Sequence, residues 1–205
     1  MGKKSFNIAV LSSGNGSDLQ AIIDQIKSRK MPGVKLVAVV SDVEDSYALE
    51  RAKEQGFDTF FVDPREKNRA EYGDELIHLL QEKQVDLVCL AGFMRILAPN
   101  VIEAFKWQMI NVHPSLLPKY GGKGMHGNHV HEAVLAARES VSGMTIHFVD
   151  EGCDTGPIIH QAEVDIEEGE NPLTLRGKIV ALEKKWYPEV IRWIQNGKVV
   201  VGEDD

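Results

Sequence analysis

The sequence predicts an α/β protein: a doubly wound, mostly parallel sheet with an antiparallel C-terminal extension and a long C-terminal helix. Two observations carry the parallel part. Short apolar runs alternate with helical patterns through the first half of the chain, and those runs are almost unbroken in Val, Ile and Leu. Alternation of strand and helix implies right-handed βαβ units, and strands apolar on both faces are strands covered on both faces. A third observation sets the extension: beyond residue 118 the texture changes, and two further strand-like runs are joined directly by residues 150–156, which points to an antiparallel pair.

Strands are expected at 7–12, 34–41, 59–62, 86–91 and 107–112, and helices between them at 17–29, 46–55, 69–83 and 99–105. Residues 119–127 then read Lys-Tyr-Gly-Gly-Lys-Gly-Met-His-Gly, too rich in glycine for core and suited to a mobile loop that orders when ligand binds. A helix over 129–138 follows, then strands at 143–149 and 157–164. Asn171-Pro172 opens the last helix with a cap residue and a proline at its first position. Its stripe of Leu175, Ile179, Leu182, Trp186, Val190 and Trp193 follows helical spacing and puts both tryptophans in the core. Sheets of this type bind ligands outside the carboxyl ends of their strands. The polar motifs fall there, at 14–17, 92–97 and 111–113.

With 205 residues and 43% hydrophobic content the chain can bury a sizeable core as one domain spanning 1–205. A formal net charge of −8 argues against a general grip on nucleic acid, which needs Lys and Arg at the phosphates. Small molecules are the expected partners, bound by a monomer or homodimer. No stretch reaches the ~20 apolar residues of a membrane span, and Lys3-Lys4 runs straight into a strand rather than into a signal-peptide core. Cys89 and Cys153 belong to no CxxC or Cys/His spacing, so neither a zinc site nor a disulfide framework is indicated. Together these features predict a cytoplasmic protein with no membrane attachment.

The most informative stretch is Asn111-Val112-His113-Pro114, continuing to Pro118. Residues i and i+2 of a strand share a face, so Asn111 and His113 point the same way, and Pro114 biases His113 toward an extended backbone. An imidazole that changes charge near neutrality, beside an amide that never ionises, can polarise a carbonyl. A plain strand-end turn whose histidine satisfies a carbonyl fits the same residues. Between the first strand and helix, Ser13-Gly14-Asn15-Gly16-Ser17-Asp18 places backbone N–H groups at a helix N-terminus, where they favour a phosphate. The loop is neither GxGxxG nor GxxxxGK[ST], so a monophosphate is the ligand it suits. An ordinary turn capped by Ser17 or Asp18 fits as well, and the Asp18 carboxylate opposes an anion unless it points away.

Residues 150–157 pack Asp150, Glu151 and Asp154 into a turn pinned by Thr155-Gly156-Pro157. Such turns are commonly just solvated. A carboxylate held on a rigid turn can also orient an imidazole and raise its pKa, so Asp154 is the candidate to keep His113 protonated beside a developing oxyanion. No GxSxG elbow marks a nucleophilic serine. His126, His129 and His131 lack an HExxH pattern or cysteine partners, and no metal is expected.

The blocks SGNGS, LAGFMRIL, NVHPSLLPKY, HFVDEGCDTGPII and LEKKWYP, in that order from Asn7 to about Lys198, resemble the folate-dependent formyltransferases. Within that family the likeness is to the branch that acts on glycinamide ribonucleotide. It implies a Rossmann-like formyltransferase fold, with residues 7–110 as the ribonucleotide and phosphate half and 111–198 as the catalytic and folate half. It implies transfer of the formyl group of 10-formyltetrahydrofolate, a co-substrate, to the glycyl amine in purine synthesis, without a metal. Asn111, His113 and Asp154 match the family's catalytic trio, Gly16, Ser17 and Asp18 its phosphate loop, and Glu183 a glutamate that holds the ribonucleotide. The folate site carries over to Arg69, to Met94, Arg95, Ile96 and Leu97 as apolar surface and backbone for a pterin, and to Asn111, Asp150, Glu151, Gly152, Cys153 and Asp154. Without the family, Arg69 and Glu183 read as solvated helix positions and 94–97 as a buried strand end.

Two departures stand out. The family often has Asn where this chain has Asp18, and the 121–128 stretch is longer than in the commonest members, so its contacts do not carry over. Formyltetrahydrofolate hydrolase, a relative with the same trio, has an N-terminal domain that six residues before the first strand cannot supply. Methionyl-tRNA formyltransferase adds a basic C-terminal domain, whereas this chain ends Val-Gly-Glu-Asp-Asp. A silent sensor of folate or nucleotide is disfavoured by the intact trio.

Overall fold

The computed structural model describes residues 5–199, and the chain divides into two compact units between Ile110 and Asn111. The first unit contains β1 (Phe6–Leu11), α1 (Ser17–Lys27), β2 (Val34–Ser41), α2 (Tyr47–Glu54), β3 (Thr59–Phe61), α3 (Arg69–Glu82), β4 (Leu87–Leu90) and α4 (Pro99–Ala104). β1 pairs in parallel with both β2 and β4, and β2 pairs in parallel with β3. Ile8, Ala9, Val10 and Leu11 are fully buried, as the unbroken apolar run requires of a strand covered on two faces. α1 buries Leu19, Ile22 and Ile23, three residues at helical spacing, while α3 is opened by an Asn68–Glu71 capping box. Asp86 stays outside β4 because its carboxylate accepts the Asn7 N–H at 2.7 Å.

β5 (Met109–His113) runs across the boundary. It starts later than expected because Trp107 adopts a left-handed φ of 62°, which turns the chain before the ladder begins. The second unit adds α5 (Asn128–Ala136), β6 (Val141–Phe148), β7 (Ile158–Asp165) and α6 (Pro172–Gln195). β6 and β7 are antiparallel, paired from Val141↔Asp165 to His147↔Ile158 with a register shift after Ile146. The strand order is β3-β2-β1-β4-β5-β6-β7, parallel among β3, β2, β1 and β4 and antiparallel between β6 and β7.

Asn171 caps α6 in a capping box with Thr174, and Pro172 takes the first helical position. The buried face of α6 differs from the expected stripe. It runs Leu175, Ile179, Glu183, Tyr187, Val190 and Ile191, while Leu182, Trp186 and Trp193 are only half-buried. The two indole rings gather around His160 of β7, with ring centres 4.2 and 5.3 Å from the imidazole. An amphipathic indole needs only one face covered, so hydrophobic spacing alone misplaced them. Among the described residues no helix is long and apolar enough to cross a membrane.

Candidate active site

β5 delivers Asn111 and His113 to one face, and the turn between β6 and β7 brings Asp154 to both. His113 Nδ1 lies 3.4 Å from one Asp154 carboxylate oxygen, and Asn111 Nδ2 donates to the other at 3.4 Å. Asp154 has a left-handed φ of 60°. That conformation is held by Asp150, whose Oδ1 accepts from the Gly152 N–H at 3.1 Å and the Thr155 hydroxyl at 2.7 Å. Gly156 completes the turn by close approach: a Cβ there would overlap the Phe148 carbonyl oxygen. Within this turn Glu151 and Gly152 are exposed, and the half-buried Cys153 thiol lies 3.8 Å from Asp154.

A second histidine, absent from the sequence-based site, completes the cluster. His147 of β6 is 2% exposed, and its Nδ1 lies 2.7 Å from the Phe148 carbonyl oxygen. A carbonyl only accepts, so Nδ1 carries a proton, and Nε2 lies 3.2 Å from Asn111 Nδ2. The same Nε2 is 3.6 Å from Asp154 Oδ1. By the same reasoning His113 Nε2–H donates to the Tyr120 carbonyl at 2.8 Å, which turns Nδ1 toward Asp154. The Gly122 N–H donates to Asp154 at 3.0 Å. The start of the glycine-rich stretch is thus tied to the cluster, where the sequence predicted a loop held by little.

Burial pushes the His113 imidazole below its ordinary value, outweighing the Asp154 charge and the Tyr120 carbonyl, both of which favour the cation. The expected direction was the opposite. The ring is only 4% exposed, and removing an imidazolium from water costs more than one carboxylate at 3.4 Å returns. Burial works on Asp154 too and would raise its carboxyl, but in the acid range where that group titrates, hydrogen bonding to His147, the charge His113 then carries and the Gly122 N–H together hold it below the usual range. At rest the pair is therefore a carboxylate beside a neutral imidazole. The chemistry this allows is proton acceptance next to a fixed negative charge.

The first unit carries the other motifs. α1 is capped by no side chain: its N-cap is Gly16 itself, at φ 66°, so neither Ser17 nor Asp18 serves as the cap that an ordinary turn would have. Gly16 packs on α2, where a Cβ would lie 3.0 Å from that of Ala48, and the Ala48 N–H donates to the Gly14 carbonyl at 3.0 Å. Ser17 is half-buried and Asp18 is 7% exposed in the first turn. Residues 92–97 are not a buried strand end: Met94 and Ile96 are 55% and 50% exposed, while Leu97 is buried and Arg95 half-buried. Arg69, an exposed residue of α3, donates to the Leu97 carbonyl at 2.6 Å.

In the second unit Glu183 is 7% exposed on the buried face of α6, not a solvated position. His126 and His129 stack edge to face on the surface, and His131 is buried in α5. Among the described residues no group of three or more His, Cys, Asp or Glu is arranged to hold a metal ion. His147, Tyr120 and Gly122 are the members that sequence reasoning missed. One signal for His147 was available: a titratable residue inside a run that is otherwise strand core, seven positions before Asp154.

Residues 6–191 match the family model described as Formyl transferase. A phosphoribosylglycinamide formyltransferase of Escherichia coli (strain K12) is 39% identical over 199 residues, covering 97% of this chain and 91% of that protein. One of the same name from Bacillus subtilis (strain 168) is 36% identical over 90% of this chain and 92% of its own length. The crystal structure of glycinamide ribonucleotide transformylase 1 from Symbiobacterium toebii matches with a TM-score of 0.91 at 39% identity, covering 97% of this chain and 92% of that one.

Proposed function

This chain belongs to the formyl transferase family, and we infer that it transfers the formyl group of 10-formyltetrahydrofolate to the glycyl amine of glycinamide ribonucleotide in purine biosynthesis. The observation that supports a working site is the cluster of Asn111, His113 and Asp154 within 3.4 Å contacts. The neutral amine attacks the formyl carbon, and charge develops on the formyl oxygen. The Asn111 N–H that reaches Asp154 at 3.4 Å makes a long hydrogen bond, so it is the donor most easily yielded to the oxyanion, a contribution of about 3 kcal/mol. The new C–N bond leaves a proton to be removed from the amine. His113 Nδ1, unprotonated at rest, receives it with Asp154 beside it, so the imidazolium forms only as the oxyanion does. Collapse of the tetrahedral adduct breaks the bond to N10 of the folate, and the proton follows the leaving nitrogen.

The remaining assignments follow the resemblance. Gly16 and Ser17 present backbone N–H groups to the ribonucleotide phosphate. Asp18 is buried in the first turn, so the anion contact is assigned to those N–H groups rather than to its carboxylate. Glu183 serves the ribonucleotide. Arg69, Met94, Arg95, Ile96, Leu97 and the turn from Asp150 to Asp154 serve the folate, with the exposed Met94 and Ile96 side chains as apolar surface. The setting we propose is cytoplasmic, with a monomer or homodimer as the working unit.

The test is to mix the protein with 10-formyltetrahydrofolate and follow tetrahydrofolate with and without glycinamide ribonucleotide. Strict dependence on the amine is expected; release with water alone marks a hydrolase, and binding without turnover a sensor. His113→Ala should lower turnover by roughly 10²–10⁴-fold while ribonucleotide affinity stays nearly intact. A variant of normal rate would remove His113 from the chemistry.

A further inference from the structure

The carboxyl ends of three strands in the first unit are joined by side chains, two of which, Ser13 and Asp42, take no part in the formyl transfer. Ser13, one residue before Gly14, donates its backbone N–H to the Gly92 carbonyl at 3.1 Å. Its hydroxyl donates to Asp42 Oδ1 at 2.6 Å and accepts the Met94 N–H at 2.9 Å. The Asp42 side chain is 9% exposed, and its second oxygen lies 3.3 Å from Arg95 Nε. The Arg95 guanidinium in turn lies 5.2 Å from the ring centre of Tyr72, a buried residue of α3. At the far end of the segment Arg69 holds the Leu97 carbonyl at 2.6 Å.

Residues 92–97 belong to no strand or helix, so these anchors define their path. The result is an alternation without a ladder: Arg95 and Leu97 turn inward while Met94 and Ile96 stand outward. The Ser13 hydroxyl is engaged on both sides at once. Its proton is spent on a carboxylate at short range, which orients its lone pairs toward the Met94 N–H. Removing it deprives a nearly buried carboxylate and a backbone N–H of a partner in one step, and such losses are costlier than the bond is worth.

We propose that Ser13, oriented by Asp42, is a positioning residue for the pterin ring of the formyl donor, although it adjoins the loop assigned to the ribonucleotide phosphate. It acts by holding the Met94 backbone in the path that exposes Met94 and Ile96. The inference rests on the reading of 94–97 as donor surface. Steady-state kinetics with each substrate varied in turn tests it. Ser13→Ala should raise the KM for 10-formyltetrahydrofolate about tenfold and leave the ribonucleotide KM within about twofold. Ser13→Thr, which keeps the hydroxyl, should recover most of the donor KM. Asp42→Asn keeps an acceptor for Ser13 and loses the charge facing Arg95, so it should fall between; it carries the test alone if Ser13→Ala does not fold.

A rise in the ribonucleotide KM with the donor KM unchanged would place Ser13 in the phosphate loop and overturn the proposal. Equal rises in both, or a fall in kcat with neither KM moved, overturn it too. The two readings fail separately. No formyl transfer by the unsubstituted protein sinks the proposed activity, whereas normal transfer with an unmoved donor KM in Ser13→Ala sinks only this inference.

Discussion

His113 takes its tautomer from a backbone carbonyl and its partner from a carboxylate. The Tyr120 oxygen at 2.8 Å claims Nε2–H, leaving the Nδ1 lone pair toward Asp154. Because burial outweighs that carboxylate, the imidazole titrates below its ordinary value of 6.5. The acid limb of kcat/KM against pH is therefore expected below that value. Asp154→Asn removes the attraction that favours the cation, so it should move the limb further down while lowering the plateau. A limb that moves upward in this variant contradicts the roles assigned to both groups. That Asn111 and His113 turn to the same side was legible in the sequence, because a period of two and a following proline leave little freedom. The direction of the titration was not: sequence shows that a carboxylate exists, not how deeply the ring beside it is buried. His147 escaped for a related reason, since a histidine in a run such as Met144-Thr145-Ile146 reads as one more core residue.

The β6–β7 turn shows how much an element can depend on one position. Gly156 lets the chain pass the Phe148 carbonyl, and the same turn presents Asp154. Gly156→Ala is expected to cost about 1–3 kcal/mol of stability, by the usual penalty for overpacking. It should also cut turnover out of proportion to that loss, because the displaced turn carries the carboxylate. Urea midpoints together with kcat measure both; a variant of normal rate and stability removes the turn from the account. The parallel strands were readable, with ends shifted by a residue or two, because a strand covered on both faces needs nothing but apolar side chains. α6 was only partly readable. A stripe chosen for apolarity takes in Trp186 and Trp193 and passes over Glu183 and Tyr187, which the fold in fact buries. The tie between residues 120–122 and the cluster runs through backbone carbonyl and N–H groups, which no residue type announces.

For the whole molecule, acid is the weak side. His113 and Asp154 both titrate lower in the folded chain than unfolded, and burial lowers His131 and His160 as well. The unfolded chain therefore binds more protons across each interval, and stability rises with pH there. The histidine share is complete above the ordinary 6.5 and is lost as pH falls through the lower folded values. The Asp154 share is complete above 3.8 and is lost below it in the same manner. Urea midpoints should fall steadily from neutrality to about pH 4; a midpoint constant over that range would refute these shifts. β7 carries a different consequence. It is the last strand in the order, and its exposed positions include Glu163 and Asp165. A rim of peptide groups invites another rim to zip onto it; here Lys178 Nζ donates to the Asp165 carbonyl at 3.3 Å, and the like charges of Glu163 and Asp165 make the approach of a second copy repulsive. The acidity that speaks against nucleic acid thus also guards the chain against growing into fibres.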